Sequence, residues 1–280
     1  MSVERNVGAQ AGSAGSAGSA GSAGAPRTAP PPTAPALELA EITAGDAAVP
    51  RIELLEWANR YGLVAGITTR PLSLGLWSDE PVGQVIGRWR AFRAAFGARF
   101  PSVVLAHQVH GTDVHWHDAI PEGWLVLDGS DGHATSEQGV LLTVTVADCI
   151  PIYLTVPEKG AIALVHAGWR GTADGILEQC VELLKWRGVA KSSDIVMHCG
   201  VGICGSCYEV GSEVAVRFGM SGTVQLDLRA ILAKQARELG IREITVSPWC
   251  SAEGRDRFYS HRASRGVDGR MVAYLGRALG

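Results

Sequence analysis

The chain is 280 residues long, 46% hydrophobic and 19% charged, with a net charge of -3. That suits a globular protein with a sizeable core, in one large domain or two small ones. It excludes a general nucleic-acid binder, because phosphate recognition depends on a basic face.

Residues 1–45 read as a disordered tail. Its repeats AGSAGSAGSAGSAGAP and PRTAPPPTAPA bury too little apolar surface to offset chain entropy. Residues 46–280 remain as a single folded domain. Pro50 precedes RIELLEWANRYG, a short helical pattern with Ile52, Leu55 and Trp57 or Ala58 inward and Gly62 as the stop. LVAGITT (63–69) reads as a strand. A second helix starts at Pro81, with Val85, Trp89, Phe92 and Phe96 on one face. VVLAHQVHG (103–111) is a strand entering a histidine-rich turn, and DVHWHD (113–118) alternates as the next. Two more strands fall within 124–128 and 140–147.

The densest stretch is Val140 to Gly171, VLLTVTVADCIPIYLTVPEKGAIALVHAGWRG. Two β-type runs flank Asp148-Cys149, and a third ends at His166. Interrupted by Asp148, Pro151 and threonines, these are core strands and not a membrane span. Thr172 reads as the cap of a helix carrying Ile176, Cys180, Leu183 and Leu184 in register, with Gly188 behind. DIVMHCG (194–200) is a strand leading into GVGICGSCYEVG. A helix over SEVAVRFG follows, Asp227 caps DLRAILAKQARELG, and REITVS (242–247) and MVAYLG (271–276) close the set. Strands and helices interleave without strict βαβ alternation. The expected fold is α+β: an α/β sandwich with a mixed sheet. The arginines at 255–270, broken by Asp256 and Asp268, read as a solvated rim. Six cysteines in a chain this long are too sparse for a disulfide scaffold. With no apolar N-terminal segment of signal type, reduced thiols and a cytoplasmic location are expected.

His110, Cys149 and His166 form a possible Cys-His-His metal set with a fourth position open, the pattern of catalytic zinc. Their separations of 39 and 17 residues match no local zinc motif. Asp148, in so apolar a run, must be paired, hydrogen-bonded or placed at a site. The same residues suit a cysteine hydrolase or deamidase, with Cys149 as nucleophile and His166 as base. His107 should face away from His110 unless a turn intervenes, and Gly111 favours His110. His115 and His117 fit one face of a solvent-facing strand; His133, His198 and His261 read as structural. In HAGWRGT, Gly168 and Gly171 permit close backbone approach, and the Arg170 fork suits phosphate or carboxylate. A tight turn with a surface arginine explains that motif equally well. Arg70 is a second phosphate candidate. Cys204-Gly-Ser-Cys207 is a CxxC without a partner pair, which reads as structural.

QVHG (108–111), ADCIP (147–151), HAGWRGT (166–172), YEVG (208–211), DL…A…L…G (227–240) and FYSHR…GR (258–270) occur in that order. Through them, over roughly 60–278, the chain resembles the multicopper polyphenol oxidase (laccase-domain) family of YfiH type. The resemblance implies zinc held by His110, Cys149 and His166. It implies a purine nucleoside phosphorylase that takes phosphate with adenosine, inosine or S-methyl-5'-thioadenosine, and a monomer is the expected state. Adenosine deamination would be a second reaction. Asp148, Cys149 and Arg170 are then the catalytic candidates, and Arg70, Arg170, Gly171 and Glu209 the substrate- and phosphate-binding ones. The family's laccase label implies copper instead. A multicopper centre needs several histidine-rich pairs, whereas this chain has eight histidines and a single His-x-His, His115-Trp116-His117. A non-catalytic binding module is the remaining reading. The chain departs from the family pattern at PLSLGLWSDE (71–80), DGHATSEQG (131–139) and GVGICG. All three ligand positions are intact, so these departures bear on substrate preference.

Overall fold

A computed structural model describes residues 37–38, 41–44 and 48–280. Most of the span assigned to the tail lies outside the described residues. In chain order the strands and helices begin with β1 (Leu37–Glu38), β2 (Ile42–Ala44), β3 (Arg51–Glu53), α1 (Leu55–Tyr61), β4 (Leu63–Thr68) and α2 (Val82–Phe96). Next come β5 (Ser102–His107), β6 (Val114–His117), β7 (Gly123–Asp128), β8 (Gly132–Thr135), β9 (Val140–Val146), β10 (Ile150–Val156) and β11 (Ala161–Ala167). The rest are α3 (Trp169–Ala173), α4 (Ile176–Trp186), β12 (Val196–Cys199), β13 (Glu209–Val210), α5 (Ser212–Ala215), β14 (Val224–Gln225), α6 (Leu228–Glu238), β15 (Glu243–Val246), α7 (His261–Ser264) and β16 (Met271–Arg277).

Among the described residues these make two seven-stranded sheets, in place of the one mixed sheet expected, and a two-stranded pair of β13 with β14. The first runs β1-β15-β12-β10-β11-β8-β6, the second β2-β3-β4-β16-β9-β5-β7. Both are mixed: β12 and β15 pair parallel in the first, and β5 with β7 and β9 in the second. The sandwich has four layers because alternate residues of each central strand face different partners. On β10, Ile150, Ile152, Leu154 and Val156 pack with Leu177 and Val181 of α4 and Leu232 of α6. Tyr153 faces the other way, into a cluster with Leu142 and Val144 of β9 and Ile67 of β4. The outer face of the second sheet, through Leu105, Leu141 and Tyr274, meets Trp89, Phe92 and Phe96 of α2.

Several boundaries differ from expectation. β1 and β2 fall within 1–45, and Glu41 between them is hydrogen-bonded to the buried His198 (Oε1 to Nε2, 3.1 Å). That part of the span belongs to the fold. The helix expected to follow Pro50 starts only at Leu55, because Arg51–Glu53 is taken by pairing with β4. The helix assigned to Thr172 is two helices. The Thr172 N–H already bonds to Gly168 O at 2.9 Å, so Thr172 lies inside α3 and does not cap. Gly175, at φ 86°, separates α3 from α4. Among the described residues no helix is long and apolar enough to cross a membrane.

Candidate metal centre and active site

The chain crosses from the second sheet to the first three times in succession: between β5 and β6, β7 and β8, and β9 and β10. His110 sits on the first of these links, Asp131 on the second, and Asp148 and Cys149 on the third. His166 comes up beside them near the end of β11. The apolar runs around Asp148-Cys149 therefore belong to different sheets, and the polar residues mark the step between them. Two of the links bend sharply enough to put non-glycine residues at positive φ, His110 at 61° and Asp148 at 86°. Such backbone costs about 1–2 kcal/mol per residue and persists only where neighbours hold it.

Asp131 and Asp148 do the holding. Asp131, fully buried, accepts the backbone N–H groups of Val109 (3.2 Å), His110 (3.0 Å) and Gly111 (2.7 Å). Its Oδ1 also accepts His166 Nδ1 at 2.8 Å. Burial disfavours the Asp131 carboxylate, but His166 and the N–H groups of Gly111 and Val109 outweigh it and hold it below the usual carboxylate range. An anionic Asp131 can only accept, so Nδ1 of His166 carries the proton and Nε2 is left for a ligand. Asp148 is held from the other side: Ser251 Oγ donates to its Oδ1 and the Arg262 backbone N–H to its Oδ2, both at 2.6 Å.

One donor atom each from His110, Cys149 and His166 lies within 4.8 Å of the others. Burial raises a thiol, yet His166 and His110 overcome it and bring Cys149 down to about 6. Burial likewise works against the His166 imidazolium, but Cys149 and Asp131 raise it to about 9. A Cβ added at Gly168 would sit 3.0 Å from both Cys149 Sγ and His110 Cδ2, so this glycine keeps the ligand triangle clear. Two imidazoles, one of them oriented by a carboxylate, and a thiolate make a donor set that fits zinc.

The triangle lies in the wall of a cavity of about 640 Å³, shared with Asp148 and Arg170. Arg170 stacks over the Trp169 ring at 4.4 Å and has no ion pair among the described residues. His107 also lines the cavity, because the turn at His110 redirects the chain; its ring stacks on Trp77 at 4.7 Å and 25°. Trp77 belongs to the PLSLGLWSDE segment, residues 71–80.

Three expected binding residues do not reach the cavity wall. Arg70 spends its fork on Asp268 and on the Phe258 carbonyl, with the Tyr259 ring beneath at 4.2 Å. Gly171 is buried in α3, where a Cβ would come within 2.8 Å of the Gly111 carbonyl; its smallness serves packing. Glu209 contributes only its carbonyl, which accepts from Arg262 and helps to place that side chain. In their stead Arg262 and Arg270, assigned to a solvated rim, line the cavity. Asp131 escaped notice although it shows the same signal as Asp148, a carboxylate between β-type runs. His117, expected on a solvent-facing strand, is buried with His133 instead. His117 Nε2 meets His133 Nδ1 at 3.1 Å across paired strands.

A two-sheet sandwich in which two crossover links and the end of β11 bring a His-Cys-His triangle to a cavity defines a class of protein, and comparison supplies its family. The model for the family described as multi-copper polyphenol oxidoreductase laccase matches residues 58–278, and the chain belongs to that family. Purine nucleoside phosphorylase YlmD of Geobacillus stearothermophilus is 33% identical over 248 residues, covering 77% of this chain and 90% of the relative. The purine nucleoside phosphorylase of Deinococcus radiodurans is 35% identical over 254 residues, covering 87% and 94%. The crystal structure of the Geobacillus YlmD matches with a TM-score of 0.78 at 31% identity, over 85% of this chain and 99% of that one. Bacillus licheniformis YfiH matches at 0.76 and 26%, over 84% and 98%.

Proposed function

We propose that this chain is a zinc-dependent purine nucleoside phosphorylase. It joins phosphate to C1′ of adenosine, inosine or S-methyl-5'-thioadenosine as the bond to the purine nitrogen breaks, releasing the base and the sugar 1-phosphate. The observation that carries the reading is the convergence on one cavity of the His110–Cys149–His166 triangle and the Arg170 fork, which has no ion pair among the described residues. Names of relatives at about a third identity agree with it. Zinc bound by the triangle supplies a Lewis acid beside the nucleoside. Arg170 offers two parallel N–H donors to phosphate, held ready by the Trp169 ring. The stacked Trp77 and His107 offer a flat wall for a purine base, so the divergent 71–80 segment tunes base preference. Asp148 lies in the same wall and suits adenosine deamination as a second reaction, as the acid/base carboxylate.

Copper oxidation is disfavoured by the donors. Among the described residues two groups of three or more candidate ligands occur, and only one of them contains histidine. The thiol-nucleophile reading is favoured by one observation, the run Cys149–His166–Asp131, which has the order of nucleophile, base and orienting carboxylate. A phosphate-dependent assay over a nucleoside panel, with metal measured on the same sample, separates the readings. Phosphorolysis that vanishes on chelation and returns with zinc is the expected result. Turnover that survives full chelation would transfer the role to Cys149 as nucleophile.

A further inference from the structure

The CxxC of Cys204 and Cys207 gains in the fold the partner pair it lacks in sequence. Cys250-Ser-Ala-Glu253 repeats the same spacing on another loop. The sulfurs of Cys204, Cys207 and Cys250 and a carboxylate oxygen of Glu253 lie within 4.8 Å of one another. Glu253 Oε1 stands 3.7 Å from Cys204 Sγ and 3.5 Å from Cys207 Sγ. The two loops are joined by backbone as well. Gly202 and Cys250 form a parallel bridge, and Ser251 N–H donates to Gly202 O at 3.0 Å.

We propose that Cys204, Cys207, Cys250 and Glu253 form a second, structural site for a thiophilic divalent cation, of which zinc is the best match. Tetrahedral zinc with Zn–S of about 2.3 Å and Zn–O of about 2.0–2.2 Å sets its sulfur and oxygen ligands about 3.5–3.7 Å apart. The Glu253 distances fall in that interval. Four protein ligands close the coordination shell, which marks a structural site and contrasts with the open triangle of the cavity. The Cys204 backbone N–H donates to Cys250 Sγ at 3.3 Å, the kind of outer hydrogen bond that steadies a ligating thiolate. Each of the six cysteines is a free thiol, so no disulfide competes for the sulfurs.

The position gives the site a purpose. One loop carries Ile203, whose N–H donates to the Asp148 carbonyl at 2.9 Å. The other carries Ser251, which donates to the Asp148 carboxylate. A cation clasping both loops braces the strained Asp148 link, and with it Cys149, from outside the cavity.

The test is metal stoichiometry on the full chain, purified with reductant and without chelator. Two zinc ions per chain are expected, falling to one in Cys149→Ser, to one in Cys204→Ser/Cys250→Ser, and to none when these are combined. Each site thus fails or survives separately from the other. Because the double variant can misfold, cobalt-substituted Cys149→Ser supplies a second reading. Its thiolate-to-cobalt charge-transfer band should persist, since three cysteine ligands remain, and Glu253→Gln should shift the visible bands while keeping it. Wild-type protein that binds one zinc, lost in Cys149→Ser, would overturn the proposal. So would a cobalt Cys149→Ser protein without the band, or fewer than six titratable thiols in the denatured, chelator-treated chain after anaerobic purification.

Discussion

His166 and His133 lie on neighbouring strands, both buried, yet their rings are driven in opposite directions. His166 is raised to about 9 and His133 lowered to about 3. Depth is the same; company differs. His166 has Cys149 on one nitrogen and Asp131 on the other. At His133 burial is reinforced by His117 and His115 and opposed by Asp131, and its Nε2 has no hydrogen-bond partner among the described residues. Burial penalises a charged imidazole everywhere, and only an anion in contact reverses the sign. A buried histidine thus becomes a candidate for chemistry through what it touches.

The sharpest way to break this contrast is to remove the anion. Cys149→Ala should empty the cavity triangle of metal and lower phosphorolysis by on the order of a thousandfold or more. Full metal retention with turnover within about tenfold would show that the reaction lies elsewhere. Asp131→Asn is gentler, since it keeps the shape and removes the charge that orients His166. Metal affinity, read by competition with a chelator, should fall by about 10–100-fold. An unchanged affinity would reduce Asp131 to a brace for the 109–111 turn. Arg170→Ala should raise the Michaelis constant for phosphate about tenfold and that for nucleoside little, as loss of one phosphate contact implies. Equal effects on both constants would sink its role as the phosphate fork.

The smallest effect belongs to the other member of the comparison. His117, at about 4, and His133 stay neutral in the fold well below the usual histidine value. The unfolded chain therefore binds more protons between about pH 6.5 and 4. Stability is full at neutral pH and drains away as pH falls through that window, by up to about 2.7 kcal/mol per pH unit for the pair, about 1.4 for each histidine. Thermal unfolding followed from pH 7 to 5 should show this slope in the wild type and a flatter one in His133→Asn. Identical slopes would mean that other groups set the acid limit.

Much of the layout was legible in the chain. Val85, Trp89, Phe92 and Phe96 mark one face of α2, and the Asp227 side chain does cap α6 by accepting from Ala230 N at 3.0 Å. What could not be read was which sheet a strand joins. Val140–Val146 and Ile150–Val156 are apolar on both faces, so period-two alternation carries no direction, and their split between sheets is set by tertiary packing. β8 was missed because Gly132 and His133 have little strand preference and pair only through β6 and β11. The ligand triangle could be named from motifs, yet its supports could not. Asp131 and Ser251 act through contacts between distant segments, and Arg262 reaches the cavity only because the 260 loop folds back onto Asp148.

The three crossover links give the cavity triangle a mechanical meaning. His110 and Cys149 sit on links between the sheets and His166 near the end of β11 in the first sheet, so an ion gripping all three would tie those links to that sheet. Binding that only the folded state offers adds about 4 kcal/mol to stability at a thousandfold excess over the dissociation constant. Here that sum falls on the seam between the layers. On the proposed reading, metal supply would then govern how long the fold survives as well as how fast the enzyme works.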